Sequence, residues 1–152
     1  MKTVVQRVKT ASVLSEGKEV GKINEVFVVL AGVAEEDTES EIELMARKIA
    51  ALRIFSDEDD KLNLSLVDKG YSVLAVSNFT LCADTRKGNR PSFIKAKEPK
   101  EADRLFKLFC EKLAENGVGR VETGVFRTQM EVSLVNDGPI TIYLDTDTWR
   151  KK

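Results

Sequence analysis

The chain has 152 residues, with 24 Lys+Arg against 25 Asp+Glu, a net charge of −1, 42% hydrophobic residues and no histidine. That length and apolar fraction suit one domain, 1–152, with a real core, and they exclude wholesale disorder. Without imidazole, Ser-His-Asp, Cys-His and His-ligated zinc chemistry are excluded, so any catalysis falls to carboxylates, hydroxyls, lysines, backbone dipoles or groups on the substrate.

Residues 2–14 alternate as a strand, 15–18 turn the chain, and a short strand at 19–24 leads into the apolar run Val26 to Val33. That run is far short of the roughly 20 residues a membrane-spanning helix needs, and the N-terminus shows no export signal. Asp37 or Thr38 caps a helix whose Ile42, Met45, Ala46, Ile49 and Leu52 follow helical spacing. Asp57 to Asp60 reads as a solvated turn, since its spacing lacks the glycine and terminal Glu of a calcium loop. Tyr71 to Asn78 reads as a central strand, and a long loop, 79–98, follows it. Pro99 opens a second helix with Ala102, Leu105, Phe106, Phe109 and Leu113 as its apolar stripe and Gly117 past its end. Strands near 119–126, 129–135 and 140–145 close the chain, the last two joined by Asn136-Asp137-Gly138-Pro139. That tetrapeptide reads as a hairpin turn with an ordinary trans bond before Pro139. Trp149 and the basic residues after it form a tail. Strands and helices that do not alternate imply a mixed α/β sandwich rather than a doubly wound sheet, and no Gly-rich phosphate fingerprint or metal-ligand set is present.

Chemistry concentrates in two places. From Asp84 to Lys100 the loop holds six cations against two carboxylates, a net of +4, including Arg86, Lys87 and Arg90. Such a loop attracts phosphates, with Phe93 as an aromatic face for a base, or serves as a soluble surface. No recognition-helix pattern accompanies it, which favours RNA over DNA. Ser77-Asn78-Phe79-Thr80-Leu81 ends the central strand. Its backbone N–H groups can face a substrate carbonyl, or its hydroxyls satisfy local backbone. Cys82 and Cys110 form no CxxC and have no activating base, so they read as inert packing residues of a protein in a reducing compartment.

These pieces together resemble one family. Gln6-Arg7-Val8, Ser77 to Leu81, Lys87-Gly88-x-Arg90-Pro91-x-Phe93, Ala96-Lys97-Glu98-Pro99 and Asn136-Asp137-Gly138-Pro139-Ile140-Thr141 follow, in order, the pattern of the D-aminoacyl-tRNA deacylases. The resemblance implies a three-layer β/β/α sandwich, a cytoplasmic homodimer without a cofactor, and hydrolysis of the ester joining a D-amino acid, or mischarged glycine, to the 3′-terminal adenosine of tRNA. It implies translation quality control by chiral proofreading, with a cis Gly138–Pro139 pair entering the partner's pocket as a chirality gate and Arg7 supporting it. By the same resemblance Phe79 and Thr80 are the catalytic positions, offering backbone N–H groups as an oxyanion hole. Ser77, Asn78, Ala96 and Met130 would line the substrate site, while on the charge reading above Arg86, Lys87 and Arg90 are the expected tRNA phosphate contacts. The family pattern has Gln at position 78 and Gly-Ala at 127–128, where this chain has Asn78, Arg127 and Thr128. Those departures keep an alternative open, an RNA-binding module of the same fold with weakened hydrolysis. A dimeric structural protein with no RNA partner is the third reading.

Overall fold

The computed structural model describes residues 1–149, Glu25 by its backbone alone; the basic tail at 150–152 lies outside the described residues. β1 (Lys2–Ser15) and β2 (Lys18–Gly32) form one long hairpin, so the expected strand at 19–24 and the apolar run are a single element. Glu16 and Gly17 turn it with φ of 51° and 78°. Two positive φ values make the tight turn whose twist matches its strands. α1 (Glu39–Ala50) starts at Thr38, whose backbone N–H donates to Glu41 Oε2 at 2.8 Å. Asp37 is buried instead, accepting the Ala34 N–H at 2.6 Å and pairing with the Met1 ammonium.

Between α1 and the next sheet strand the sequence pattern marks nothing beyond the acidic turn. The structure carries β3 (Phe55–Ser56), β4 (Leu62–Leu64) and the short α2 (Leu66–Lys69) there. Asp57 closes the β3–β4 hairpin by accepting the Asp59 N–H at 2.9 Å and the Lys61 N–H at 3.0 Å, and those bonds hold its carboxyl below the usual carboxylate range. β5 (Ser72–Ser77) then runs parallel to β2, and α3 (Pro99–Glu115) follows the long loop, with Gly117 at φ 93° just past its end. β6 (Val121–Thr123) is shorter than expected and β7 (Met130–Asp145) is one continuous strand. The five-stranded sheet has the order β6-β5-β2-β1-β7, so β2 is central and β5 lies beside it.

Parallel strands at a sheet's interior are covered on both faces, and their sequences read as unbroken apolar runs. Val26 to Val29 and Val73 to Ala75 are that kind of run, each fully buried. On one face, Phe27, Val29, Val73 and Ala75 pack against Ile42, Met45, Ile49, Leu105 and Phe109 from α1 and α3. Phe27 also stacks on Phe55, with ring centroids 5.1 Å apart. On the other face, Val26, Val28, Leu74 and Val76 meet Val8, Ala11, Val13 and Ile23. The outer halves of β1, β2 and β7 therefore fold over the sheet they belong to, giving helices, sheet and a second β layer. Gly21 makes that fold possible: a Cβ there would lie 3.0 Å from Leu74 Cδ1 and 3.1 Å from the Thr123 carbonyl. Trp149 packs back on the helical side under the Lys48 ammonium.

The segment 136–139 is not a hairpin turn. Both halves of β7 pair antiparallel with β1, Thr141 opposite Gln6 and Asn136 opposite Val8. Two residues of advance along β1 thus span five along β7, and residues 137–140 are extruded as a bulge, with the Gly138–Pro139 peptide bond cis. No helix among the described residues is long and apolar enough to cross a membrane.

Candidate active site

Three pieces carry the predicted residues. The first is the end of β5. Ser77 pairs with Ala31, and the Asn78 N–H donates to the Ala31 carbonyl at 2.8 Å. A single 3₁₀ turn, Phe79–Cys82, follows with Asn78 as its cap. The Asn78 side-chain oxygen accepts the Thr80 N–H at 3.2 Å and also the Thr80 hydroxyl proton. The backbone donor expected to serve a substrate at Thr80 is therefore occupied by a neighbouring side chain. The Phe79 N–H has no acceptor among the described residues. The turn rests on Gly32, where a Cβ would come within 2.8 Å of the Asn78 carbonyl oxygen and 3.1 Å of Leu81 Cβ. Sequence reasoning missed Gly32, because its use is a contact between segments far apart in the chain.

The second piece is the bulge. Arg7 donates from Nη1 to the Ile54 carbonyl at 2.8 Å and from Nε to the Asp137 carbonyl at 3.2 Å, with Asp137 Oδ2 at 3.4 Å. Asn136 closes the base, its Nδ2 donating to the carbonyls of Arg7 and Ile140, each at 2.9 Å. Gly138 and Pro139 are exposed on this braced loop. Gly138 has φ 133°, and a Cβ there would lie 2.8 Å from Ile140 Cγ1 and 2.9 Å from the Ile140 nitrogen. Ile54 is a further part that the sequence pattern did not single out, and Asn136, quoted there only as part of the turn motif, proves to brace the bulge.

The third piece is the ordered loop from 83 to 98. Asp84 and Ser92 bridge its two limbs, and Ala96 pairs with Ala34. Phe93 meets Phe79 edge-on at 5.0 Å. Arg86 is already committed: its Nε lies 2.9 Å and 3.1 Å from the two Asp84 oxygens, and the pair holds the Asp84 carboxyl far below the usual range. Lys87 and Arg90 are exposed and have no anionic partner among the described residues. A cleft of ≈ 570 Å³ opens beside this loop, walled by Lys2, Ala34, Asp84, Arg86, Lys95 and Asp147, a volume in the range of small-molecule sites. None of Ser77 to Thr80 lines it.

Met130 lies against Gly124, beside the middle of β5 in the second core cluster. The Gly124 N–H donates to the Ala75 carbonyl at 3.3 Å, and the Gly124 Cβ position would fall within 2.5 Å of Met130 Sδ. The bulge does not reach the first piece within one chain. Arg7 is level with Phe27 on β2, whereas the 78–82 turn sits on Gly32. Five residues of strand separate the two, roughly 17 Å.

These parts match a known protein family. The family model described as D-Tyr-tRNA(Tyr) deacylase matches residues 4–145. The chain belongs to that family. Over 146 residues, 96% of its length, it is 52% identical to the D-aminoacyl-tRNA deacylase of Caldicellulosiruptor bescii and 55% identical to that of Koribacter versatilis, covering 97% of each relative. Among solved structures, the c-Myc DNA Unwinding Element Binding Protein superposes with a TM-score of 0.90 at 41% identity, over 95% of this chain and 98% of that one. A probable eukaryotic D-amino acid tRNA deacylase shares the fold, with a TM-score of 0.81 at 15% identity over 94% and 97% of the two chains. This is an enzyme family, and the sequence-derived reading of a mixed α/β deacylase fold matches it.

Cys82 ends the 79–82 turn and borders the cleft, but neither cysteine is a ready nucleophile. Burial pushes the Cys110 thiol up to about 12 and raises that of Cys82 as well. A raised pKa leaves less thiolate than an ordinary thiol has at pH 8, so alkylation by iodoacetamide in native buffer should be at least tenfold slower than in denaturant. Mass spectrometry of the labelled protein checks this.

Proposed function

We propose that this deacylase hydrolyses the ester between a D-amino acid and the 3′-terminal adenosine of tRNA, acting in the cytoplasm as a homodimer. The bulge of one protomer supplies the chirality gate of the other. The Gly138 and Pro139 carbonyls occupy the space an L side chain would need, while a D side chain points outward and glycine passes. Exclusion by clash provides discrimination that favourable contacts to mirror-image substrates do not. The observation that carries this reading is the braced, exposed bulge, set about five residues of strand away from its own chain's turn.

The chemistry uses the main chain. A water oxygen attacks the ester carbonyl, and the resulting oxyanion is received by the N–H groups of Phe79 and Thr80, worth about 10²–10³ in rate for each donor of this kind. The chain has no histidine to move the proton, so the 2′-hydroxyl of the terminal ribose relays the attacking water's proton to the 3′-oxygen; as the intermediate collapses the acyl C–O bond breaks, leaving a free 3′-hydroxyl on the tRNA and the amino acid as its carboxylic acid. Ser77, Asn78 and Met130 shape the amino-acid end of the site, and Ala96 lies beside the cleft that takes the adenosine. Thr80→Ala should keep appreciable activity, since position 80 contributes its backbone; complete loss with an intact fold would favour a covalent role for the hydroxyl.

Incubation with D-tyrosyl- and L-tyrosyl-tRNA tests the activity. The D ester should be cleared and the L ester should decay at its uncatalysed rate; equal, uncatalysed decay of both would leave an RNA-binding module. The RNA contact has its own signature. Replacing Lys87 and Arg90 by Ala should weaken tRNA binding and lower the slope of log K against log salt by roughly 1.4 for two single-strand phosphate contacts. Arg86→Ala should do less, because Asp84 already neutralises that guanidinium.

A further inference from the structure

We infer that Asn78 is a positioning residue whose side-chain oxygen occupies the oxyanion site of the free enzyme and must swing aside for the substrate carbonyl. The inference rests on the assignment of the Thr80 N–H as an oxyanion donor. Both donors at position 80 end on Asn78 Oδ1, the N–H at 3.2 Å and the hydroxyl beside it. An acceptor placed there stands where an ester carbonyl oxygen would have to stand to use the same N–H.

The turn does not need that side chain to keep its shape. The Asn78 N–H is bonded to the Ala31 carbonyl at 2.8 Å, the Ala83 N–H to the Thr80 carbonyl at 3.1 Å, and the turn is seated on Gly32. What Asn78 adds is competition. Its neutral amide oxygen is a better acceptor than an ester carbonyl and a poorer one than the charged oxyanion, since hydrogen bonds to ionised acceptors are roughly twice as strong. The exchange therefore opposes ground-state binding of the ester outright, whereas the stronger bond to the charged tetrahedral intermediate offsets its cost. The Phe79 N–H, with no acceptor among the described residues, would meet the carbonyl first.

Two variants separate this from its rivals. Asn78→Ala removes the resident acceptor. It should bind a non-hydrolysable amide analogue of 3′-D-tyrosyl-adenosine about 3- to 10-fold more tightly, the scale of one competing hydrogen bond. Asn78→Asp keeps an equally good cap but holds the donors with a carboxylate that repels an oxyanion. Its kcat/KM for D-tyrosyl-tRNA should fall about 100-fold with Tm unchanged. In ligand-free Asn78→Ala the Thr80 amide should exchange hydrogen faster than in wild type. A plain structural cap predicts the reverse pattern, with Asn78→Asp like wild type and Asn78→Ala weaker, and that result would overturn the inference. Weaker analogue binding by both variants would also overturn it, by making Asn78 a direct substrate contact. If wild-type protein leaves D-tyrosyl-tRNA intact, the activity reading fails by itself. The Thr80 exchange then decides the latch, and an unchanged rate in Asn78→Ala overturns it.

Discussion

Gly138→Ala should lower the preference for D- over L-tyrosyl-tRNA by about 100-fold, the usual consequence of moving a positioned group by about 1 Å. A methyl group there meets Ile140 Cγ1 at 2.8 Å and the Ile140 nitrogen at 2.9 Å, and φ 133° is a conformation L residues rarely adopt. The two contacts cannot both be relieved by moving a side chain, because the second is main chain. The bulge must rebuild, and the carbonyls that exclude an L side chain move with it. Arg7 and Asn136 restrain its two ends, so the change concentrates at the tip. Parallel rate measurements on D and L esters give the ratio. A destabilisation of about 1–3 kcal/mol accompanies it, read as a fall in Tm.

Gly32→Ala should reduce kcat/KM for D-tyrosyl-tRNA by about 100-fold while leaving the D/L ratio unchanged, again because a shift near 1 Å disrupts a catalytic array. The new methyl meets the Asn78 carbonyl oxygen at 2.8 Å, Leu81 Cβ at 3.1 Å and Cys82 Sγ at 3.3 Å. Three contacts from consecutive parts of one turn push the Phe79 and Thr80 amides together. Gly17→Ala is the matched control: it carries φ 78° but has nothing within 4 Å of the added carbon, so it should affect stability without touching catalysis. The two glycines thus separate the parts of the site, one setting selectivity and the other rate.

Much of this architecture is legible in the chain itself. The β1–β2 turn at Gly17, the Thr38 cap, Pro99 and Gly117 around α3, and the apolar runs of β2 and β5 each carry a local signal. Other parts are decided by partners distant in sequence. Asn136 to Pro139 has the composition of a hairpin turn, and it becomes a bulge because both flanks pair with the same strand, β1. The 55–69 elements are two to four residues long, too short for any periodicity to show. β6 stops at Thr123, where Gly124 must let Met130 approach. Arg86 looked like a phosphate contact from its charge, and Asp84, two residues away, takes that charge up. The occupied Thr80 N–H follows from Asn78 capping a turn, a role that needs the turn to be known first.

The trans arrangement of gate and turn is tested most directly by a hybrid dimer of a Gly32→Ala protomer and a Gly138→Ala protomer, co-expressed with different tags and purified through both. With the gate acting across the interface, the hybrid holds one site of intact turn and intact gate. It should clear D-tyrosyl-tRNA at about half the wild-type rate and leave L-tyrosyl-tRNA untouched. If each protomer gates its own turn, the working turn sits behind a broken gate, and hydrolysis of L-tyrosyl-tRNA by the hybrid would contradict the account.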